Sequence, residues 1–155
     1  MLHPDCHPQA LSGLTRLRKL HLAGFDAKDT EEAVKVLPTS LSTLALPLWH
    51  DNWNWSTEAQ KAVLSATSHL LHLQHLDIAK TFVNSDQVKP LLPELRRLTV
   101  LTALRSLTVG SGWSRLYDDK NTQLRATLRR ALPGVELDPL PSIAFKAGRL
   151  FPAVS

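Results

Sequence analysis

His75 and Asp77 are the two residues of this chain whose types and spacing best suit acid–base chemistry. They stand two apart, so a β-strand through residues 75–77 would place the imidazole and the carboxylate on one face. Such a pair can take up and return a proton during a reaction. The sequence offers no serine or cysteine nucleophile with an obvious place beside them, and a shallow sheet excludes little water. We therefore predict that the chain is not an enzyme and has no catalytic residues.

Metal-binding residue types are also present, but too few of them stand together. His3, Cys6 and His7 are zinc-type ligands at close spacing, yet they number only three and belong to a proline-containing terminus. His69 and His72 stand three apart near a predicted helix end, where solvation of that end is the simpler role. We predict that the protein holds no metal ion and no cofactor.

One spacing, apolar-x-x-apolar-x-apolar, recurs along the chain and uses much of its leucine, which makes up 30 of the 155 residues. It occurs at Leu17-Leu20-Leu22, Leu41-Leu44-Leu46, Leu73-Leu76-Ile78, Leu104-Leu107-Val109 and Leu132-Val135-Leu137. The last two apolar residues of each unit lie two apart, which places both on the same face of a short strand. Steps of 24 to 32 residues between units indicate a stacked repeat array.

Helical patterns separate the repeat units. Ser56 and Thr57 can cap a helix whose apolar residues between 59 and 70 follow the i, i+3, i+4, i+7 rhythm. A second helix is predicted to start at a cap on Asn121. Two more are predicted, a short one within 29–37 and one within 85–98 that prolines break or delay.

The repeat resembles the leucine-rich repeat superfamily, and its helical units of 28–32 residues are most similar to the ribonuclease-inhibitor-like branch. The resemblance covers residues 11–140. It implies an α/β fold, a right-handed solenoid (horseshoe segment) of about five units, with short parallel strands on the concave face and helices on the convex face. Residues 1–10 form an N-terminal extension, and residues 141–155 form a C-terminal tail whose apolar content favours packing as a cap.

One family feature is missing. The family places an asparagine or cysteine three residues after the strand, where the side chain bonds to neighbouring backbone. The corresponding residues here are Phe25, Trp49, Thr81, Gly112 and Leu140. The repeat subclass therefore does not follow from these positions.

The residues between the motif leucines would form three rows on the concave face. The central row is His21, Ala45, Asp77, Thr108 and Glu136. One flanking row is Lys19, Thr43, His75, Ser106 and Gly134, and the other is Ala23, Pro47, Ala79, Gly110 and Asp138. These rows predict a shallow polar groove, and a solvated sheet face without a partner is the alternative interpretation.

The segments that follow the strands carry aromatic residues of the types enriched in binding hot spots. They matter because five short strands expose only about 300 Å², whereas a standard interface takes about 800 Å² from each partner. Some of these aromatics could instead belong to the core. The candidate partner-binding residues are His21, His75, Asp77, Trp53, Trp113, Arg115 and Tyr117.

The resemblance implies a non-enzymatic scaffold that binds a protein partner through the concave strand face and the post-strand loops. The alternative is a structural repeat segment of a larger protein, such as a ubiquitin-ligase substrate receptor. RNA binding is a further alternative, although ordinary solvated helix faces explain the same basic residues. Those residues are Arg96, Arg97, Arg125, Arg129 and Arg130.

Composition limits the remaining classes of protein. The chain is 43% hydrophobic with a net charge of +4 spread along it, which suits a folded soluble protein and not a nucleic-acid footprint. No apolar run approaches the 18 residues of a membrane span, and the N-terminus has no secretory pattern. Cys6 is the only cysteine, which favours an intracellular, cytoplasmic location. We expect a monomer or part of a longer array, without membrane contact.

Overall fold

The computed structural model of the chain describes residues 11–22, 25–46, 55–78, 89–109 and 119–137. Within them lies an α/β fold with a five-stranded, all-parallel, open sheet whose strands follow one another in chain order. The prediction of an α/β fold with five short parallel strands is confirmed. The extension at residues 1–10 and the tail at residues 141–155 lie outside the described residues.

The elements alternate along the chain. The strands are β1 (Lys19–His21), β2 (Thr43–Ala45), β3 (His75–Asp77), β4 (Ser106–Thr108) and β5 (Glu136–Leu137). The α-helices of the described ranges are α1 (Ala27–Lys35), α2 (Thr57–Ala66), α3 (Leu92–Arg97) and α4 (Asp119–Ala131). Short 3-10 segments extend α2 and flank α3, at Thr67–His69, Lys89–Leu91 and Leu98–Val100.

A leucine at the centre of each of the first four strands sets the register of the sheet. Across the sheet the paired residues are Leu20, Leu44, Leu76 and Leu107. A strand of three residues forms too few hydrogen bonds to be stable alone. The aligned leucines supply the missing stabilisation, because Leu44, Leu76 and Leu107 are no more than 1% exposed. The repeated spacing therefore encodes both the strands and their alignment.

The fifth unit departs from the predicted alignment, which paired Val135 with Leu107. In the structure Leu107 pairs with Leu137, and Ser106 pairs with Glu136. The cause is the end of α4. The amide of Leu132 still donates to the carbonyl of Leu128 (2.8 Å), so Leu132 completes the helix and does not begin the strand unit.

This two-residue shift changes the predicted rows. Gly134, with φ of +85°, turns the chain between α4 and β5 and is not a member of the flanking row. Glu136 takes that place beside Ser106, and its amide donates to the carbonyl of Arg105 (2.8 Å). The assignment of Glu136 to the central row was wrong.

The helix starts follow local capping chemistry. Ser56 caps α2 as predicted, since its hydroxyl accepts from the amide of Ala59 (3.2 Å). Helix α1 starts earlier than predicted, because the Asp26 carboxylate accepts from the amide of Asp29 (2.7 Å). The prediction for α4 was wrong, because that helix begins at Asp119 and includes Asn121. The delayed helix at the prolines is confirmed, since α3 begins at Leu92 after a 3-10 turn.

The core lies between the sheet and the helices. Leucines of the strands join helix residues such as Val34, Val63, Leu95 and Leu128 in one continuous buried cluster. Consecutive helices contact each other, α1 with α2, α2 with α3 and α3 with α4. The helices therefore cover one face of the sheet, and the other face carries the polar strand residues. Within the described ranges no helix is long and apolar enough to cross a membrane.

Candidate functional site

The sheet face opposite the helices is built from the first and third residues of each strand. The first residues form a row of Lys19, Thr43, His75, Ser106 and Glu136. The third residues form a second row of His21, Ala45, Asp77 and Thr108. The edge residues Lys19, His21 and Glu136 are exposed, whereas Ala45 and Ser106 near the centre are buried. The face is thus most open at its edges.

Ser106 makes a contact that the sequence did not predict. Its hydroxyl lies 2.7 Å from Nδ1 of His75 on the neighbouring strand. The expectation that no nucleophile stands beside His75 was wrong, because cross-strand pairing joins residues 31 apart in the chain. Both residues stood in one predicted row, which was the available signal. Ser106 is 8% exposed, and its contact with His75 is a side-chain hydrogen bond between neighbouring strands.

We expect Ser106→Ala and His75→Ala each to lower the free energy of unfolding by about 1 kcal/mol. The double variant should lose little more than one single variant, since each substitution alone breaks the same hydrogen bond. Urea denaturation of the four proteins of this double-mutant cycle measures the coupling. Fully additive losses would contradict the hydrogen bond as the source of stability.

The residues that immediately precede the strands form a further row, Arg18, Ser42, Gln74 and Arg105. Backbone hydrogen bonds align them: each of the last three donates its amide to the carbonyl of the residue before it in the row, at 2.8–2.9 Å. The row therefore continues the sheet register beyond the strands. This row was not predicted from the sequence, although each of the first four units carries this position directly after its first leucine.

Five polar residues, Arg18, Ser40, Ser42, His72 and Gln74, line a shallow groove at this side of the sheet. Arg18 donates from its guanidinium to the carbonyl of Ser40 (2.8 Å), which holds its charged end over the groove. The two serine hydroxyls donate to backbone, Ser40 to Leu17 (3.0 Å) and Ser42 to Arg18 (2.9 Å). The groove is therefore polar, ordered and cationic at one end.

Charges are distributed differently on the helices and beside the sheet. Each of the first three helices has an internal ion pair, Lys35 with Glu31, Lys61 with Glu58 and Arg97 with Glu94. Among the described residues, no carboxylate pairs with the exposed Arg16, Arg18, Lys19 or Arg105. The sheet side thus presents cations available to a partner.

The histidine pair near the end of α2 is divided between two environments. Nδ1 of His69 lies 2.8 Å from the carbonyl of Ala66, and Nε2 lies 3.2 Å from that of Leu37. Its ring therefore joins the end of α2 to the preceding unit, while His72 is exposed at the groove. Of the residues that the structure describes, no three with metal-ligand side chains stand together.

The other predicted binding residues are only partly placed. His21 lies exposed at the edge strand, and Asp77 lies half-buried on the central strand. Trp53, Trp113, Arg115 and Tyr117 lie outside the described residues, as do His3, Cys6 and His7, which were predicted not to form a metal site. Of the helix arginines, Arg97 pairs with Glu94 and Arg125 lies 3.5 Å from the carbonyl of Leu137. Arg96, Arg97, Arg129 and Arg130 are exposed, and Arg125 is half-buried.

No family model and no curated protein matches the chain. Functional inference therefore rests on the sheet face and the groove beside it.

Proposed function

We propose that the strand–helix units form a right-handed leucine-rich-repeat solenoid that binds a protein partner through its open sheet face, without catalysis. Parallel strands joined through a helix take the right-handed crossover in about 98% of cases, which supports the handedness. The observation that carries the proposal is the register of the sheet. The first four units each place a leucine inward at the same strand position and a polar residue outward before it. The apolar residues therefore hold the scaffold together, and the polar residues form a continuous face.

The size of this face supports a macromolecular ligand over a small molecule. Small-molecule sites are enclosed cavities, whereas the groove at the sheet is shallow and polar. The row that precedes the strands widens the available surface beyond the strand residues alone. A partner that contacts the strand residues, this row and the post-strand segments approaches the area of a standard interface.

A photo-crosslinking experiment tests the proposal. Benzoylphenylalanine at Lys19, exposed on the sheet face, should crosslink a protein partner in cell extract, whereas the same group at Ser65, exposed on α2, should not. The captured protein is then purified and titrated against the chain. We expect Thr43→Trp to weaken that binding at least tenfold, because it places a bulky side chain on β2, directly beside Lys19 on the same face.

Ser65→Trp is the matched control, since it adds the same side chain to the helix side. Equal weakening by both substitutions, or a partner that crosslinks only from Ser65, would contradict recognition through the sheet.

A second candidate function is a structural repeat segment of a larger protein, and the first unit favours it. Leu17 and Leu20 are only partly buried, and Leu14 is 45% exposed. The residues of the second unit that correspond to Leu17 and Leu20 are Leu41 and Leu44, and both are fully buried. A further repeat stacked on β1 would cover these leucines.

A further inference from the structure

We infer that the row Arg18, Ser42, Gln74 and Arg105 binds an extended acidic segment of a protein partner, with two carboxylates four residues apart. The inference rests on the proposed function and names the chemistry of the partner at that same face.

The spacing of the row fixes the spacing of the ligand. Arg18 and Arg105 are separated by three strand-to-strand steps of about 4.8 Å, which places their backbones about 14 Å apart. An extended peptide rises about 3.4 Å per residue, so four residues cover that distance. Residues i and i+4 of an extended peptide also point to the same side. Two acidic residues at this separation can therefore meet both arginines.

The arginine end of the groove is prepared for a carboxylate. A guanidinium has five N–H donors, and Arg18 uses one of them on the carbonyl of Ser40. That bond restrains the side chain over the groove and leaves donors for a two-point contact with a carboxylate. No carboxylate of the described residues competes for Arg18 or Arg105.

The middle of the groove suits the backbone of a peptide. The hydroxyls of Ser40 and Ser42 already donate to carbonyls, so their oxygens are left to accept hydrogen bonds. Gln74 adds an amide group that both donates and accepts. Acceptors between two cations match peptide N–H groups between two acidic side chains. A uniformly anionic chain would meet those same acceptors with repulsion.

Charge-reversed variants of the full chain test the inference. The probe is a fluorescein-labelled synthetic 12-residue Gly/Ser peptide with two glutamates at i and i+4, titrated by fluorescence anisotropy at about 50 mM salt, where screening is weak. We expect Arg18→Glu with Arg105→Glu to weaken binding at least tenfold. The matched control is Arg129→Glu with Arg130→Glu, the same charge change on the helix side, which should alter binding less than twofold.

Two further measurements distinguish specific binding in the groove from general electrostatic attraction between the peptide and the protein. A peptide with adjacent glutamates has the same charge and should bind at least threefold more weakly. Arg18→Gln removes one charge together with the exposed bond to Ser40, so it should weaken binding while a cooperative thermal transition persists. This variant keeps the test valid if the charge-reversed protein unfolds. No binding up to 1 mM peptide, equal loss in the helix-side control, or tighter binding of an oligoribonucleotide of equal charge would each overturn the inference.

The outcome is distinguishable from failure of the proposed function. A partner that crosslinks from Lys19 but whose binding is unaffected by Arg18→Gln would refute the acidic segment and leave sheet-face recognition intact. Absence of any sheet-face partner would refute the proposed function.

Discussion

Replacing Leu76 by alanine is expected to lower the free energy of unfolding by about 3–4 kcal/mol. Leu76 is 1% exposed at the centre of β3, between Leu44 and Leu107 on the neighbouring strands. Truncation removes buried methyl groups and leaves a cavity that the flanking units cannot close without losing their own register. Domains of this size have total stabilities of about 5–15 kcal/mol, so one side chain accounts for a large part.

Urea denaturation followed by circular dichroism measures this loss. Leu71→Ala is the control, because Leu71 is 55% exposed and should cost less than about 0.5 kcal/mol. Leu20→Ala should fall between the two, since Leu20 has the same place in the edge strand but is only partly buried. A loss at Leu20 equal to that at Leu76 would show that the edge unit is covered as fully as the interior.

The strands could be predicted from the sequence because their information is local. A spacing of three and then two between apolar residues defines a strand and its inward face, wherever the unit lies in the chain. The Ser56 cap was predictable for the same reason, since the bond to Ala59 spans three residues. The predicted cap at Asn121 was wrong because residue types that cap helices also occur inside the first turn of a helix. Helix α4 already starts at Asp119.

The pairing of residues on neighbouring strands could be predicted only where the spacing of the apolar motif matches the register of the sheet. In β1 to β4 they agree, so the row containing His75 and Ser106 was correctly aligned. Their hydrogen bond was not predicted, because Asp77 is close to His75 in the sequence, whereas Ser106 is 31 residues away. In β5 they disagree, since the sequence spacing does not reveal that Leu132 completes the preceding helix.

The groove was missed for a related reason. Its residues are polar and unremarkable one at a time, and none belongs to a motif with known chemistry. Only the backbone hydrogen bonds from Ser42 to Arg18 and from Gln74 to Ser42 bring three of these residues into one row. The significance of Arg18 and Arg105 depends on which cations have no carboxylate partner among the described residues, and that is a property of the folded surface.

The register of β5 leads to the second large effect. We expect Leu137→Asp to lower the free energy of unfolding by about 2–4 kcal/mol, because Leu137 is 7% exposed and joins the core beside Leu107. A carboxylate there is either buried among apolar side chains or must pull the strand away from the core. Val135→Asp should cost less, about 1 kcal/mol, since Val135 is only partly buried.

The two substitutions decide between the alignments because each alignment makes a different residue the counterpart of Leu107. If the sequence spacing governed β5, Val135→Asp would be the more damaging change. Hydrogen exchange adds a local readout, since the amide of Glu136 is held by the carbonyl of Arg105 at 2.8 Å. Each described strand pairs with the strands next to it in chain order, so Leu137→Asp should speed exchange at Glu136 more than at Leu76. Equal acceleration at both amides would instead mean that the five strands unfold as one cooperative unit.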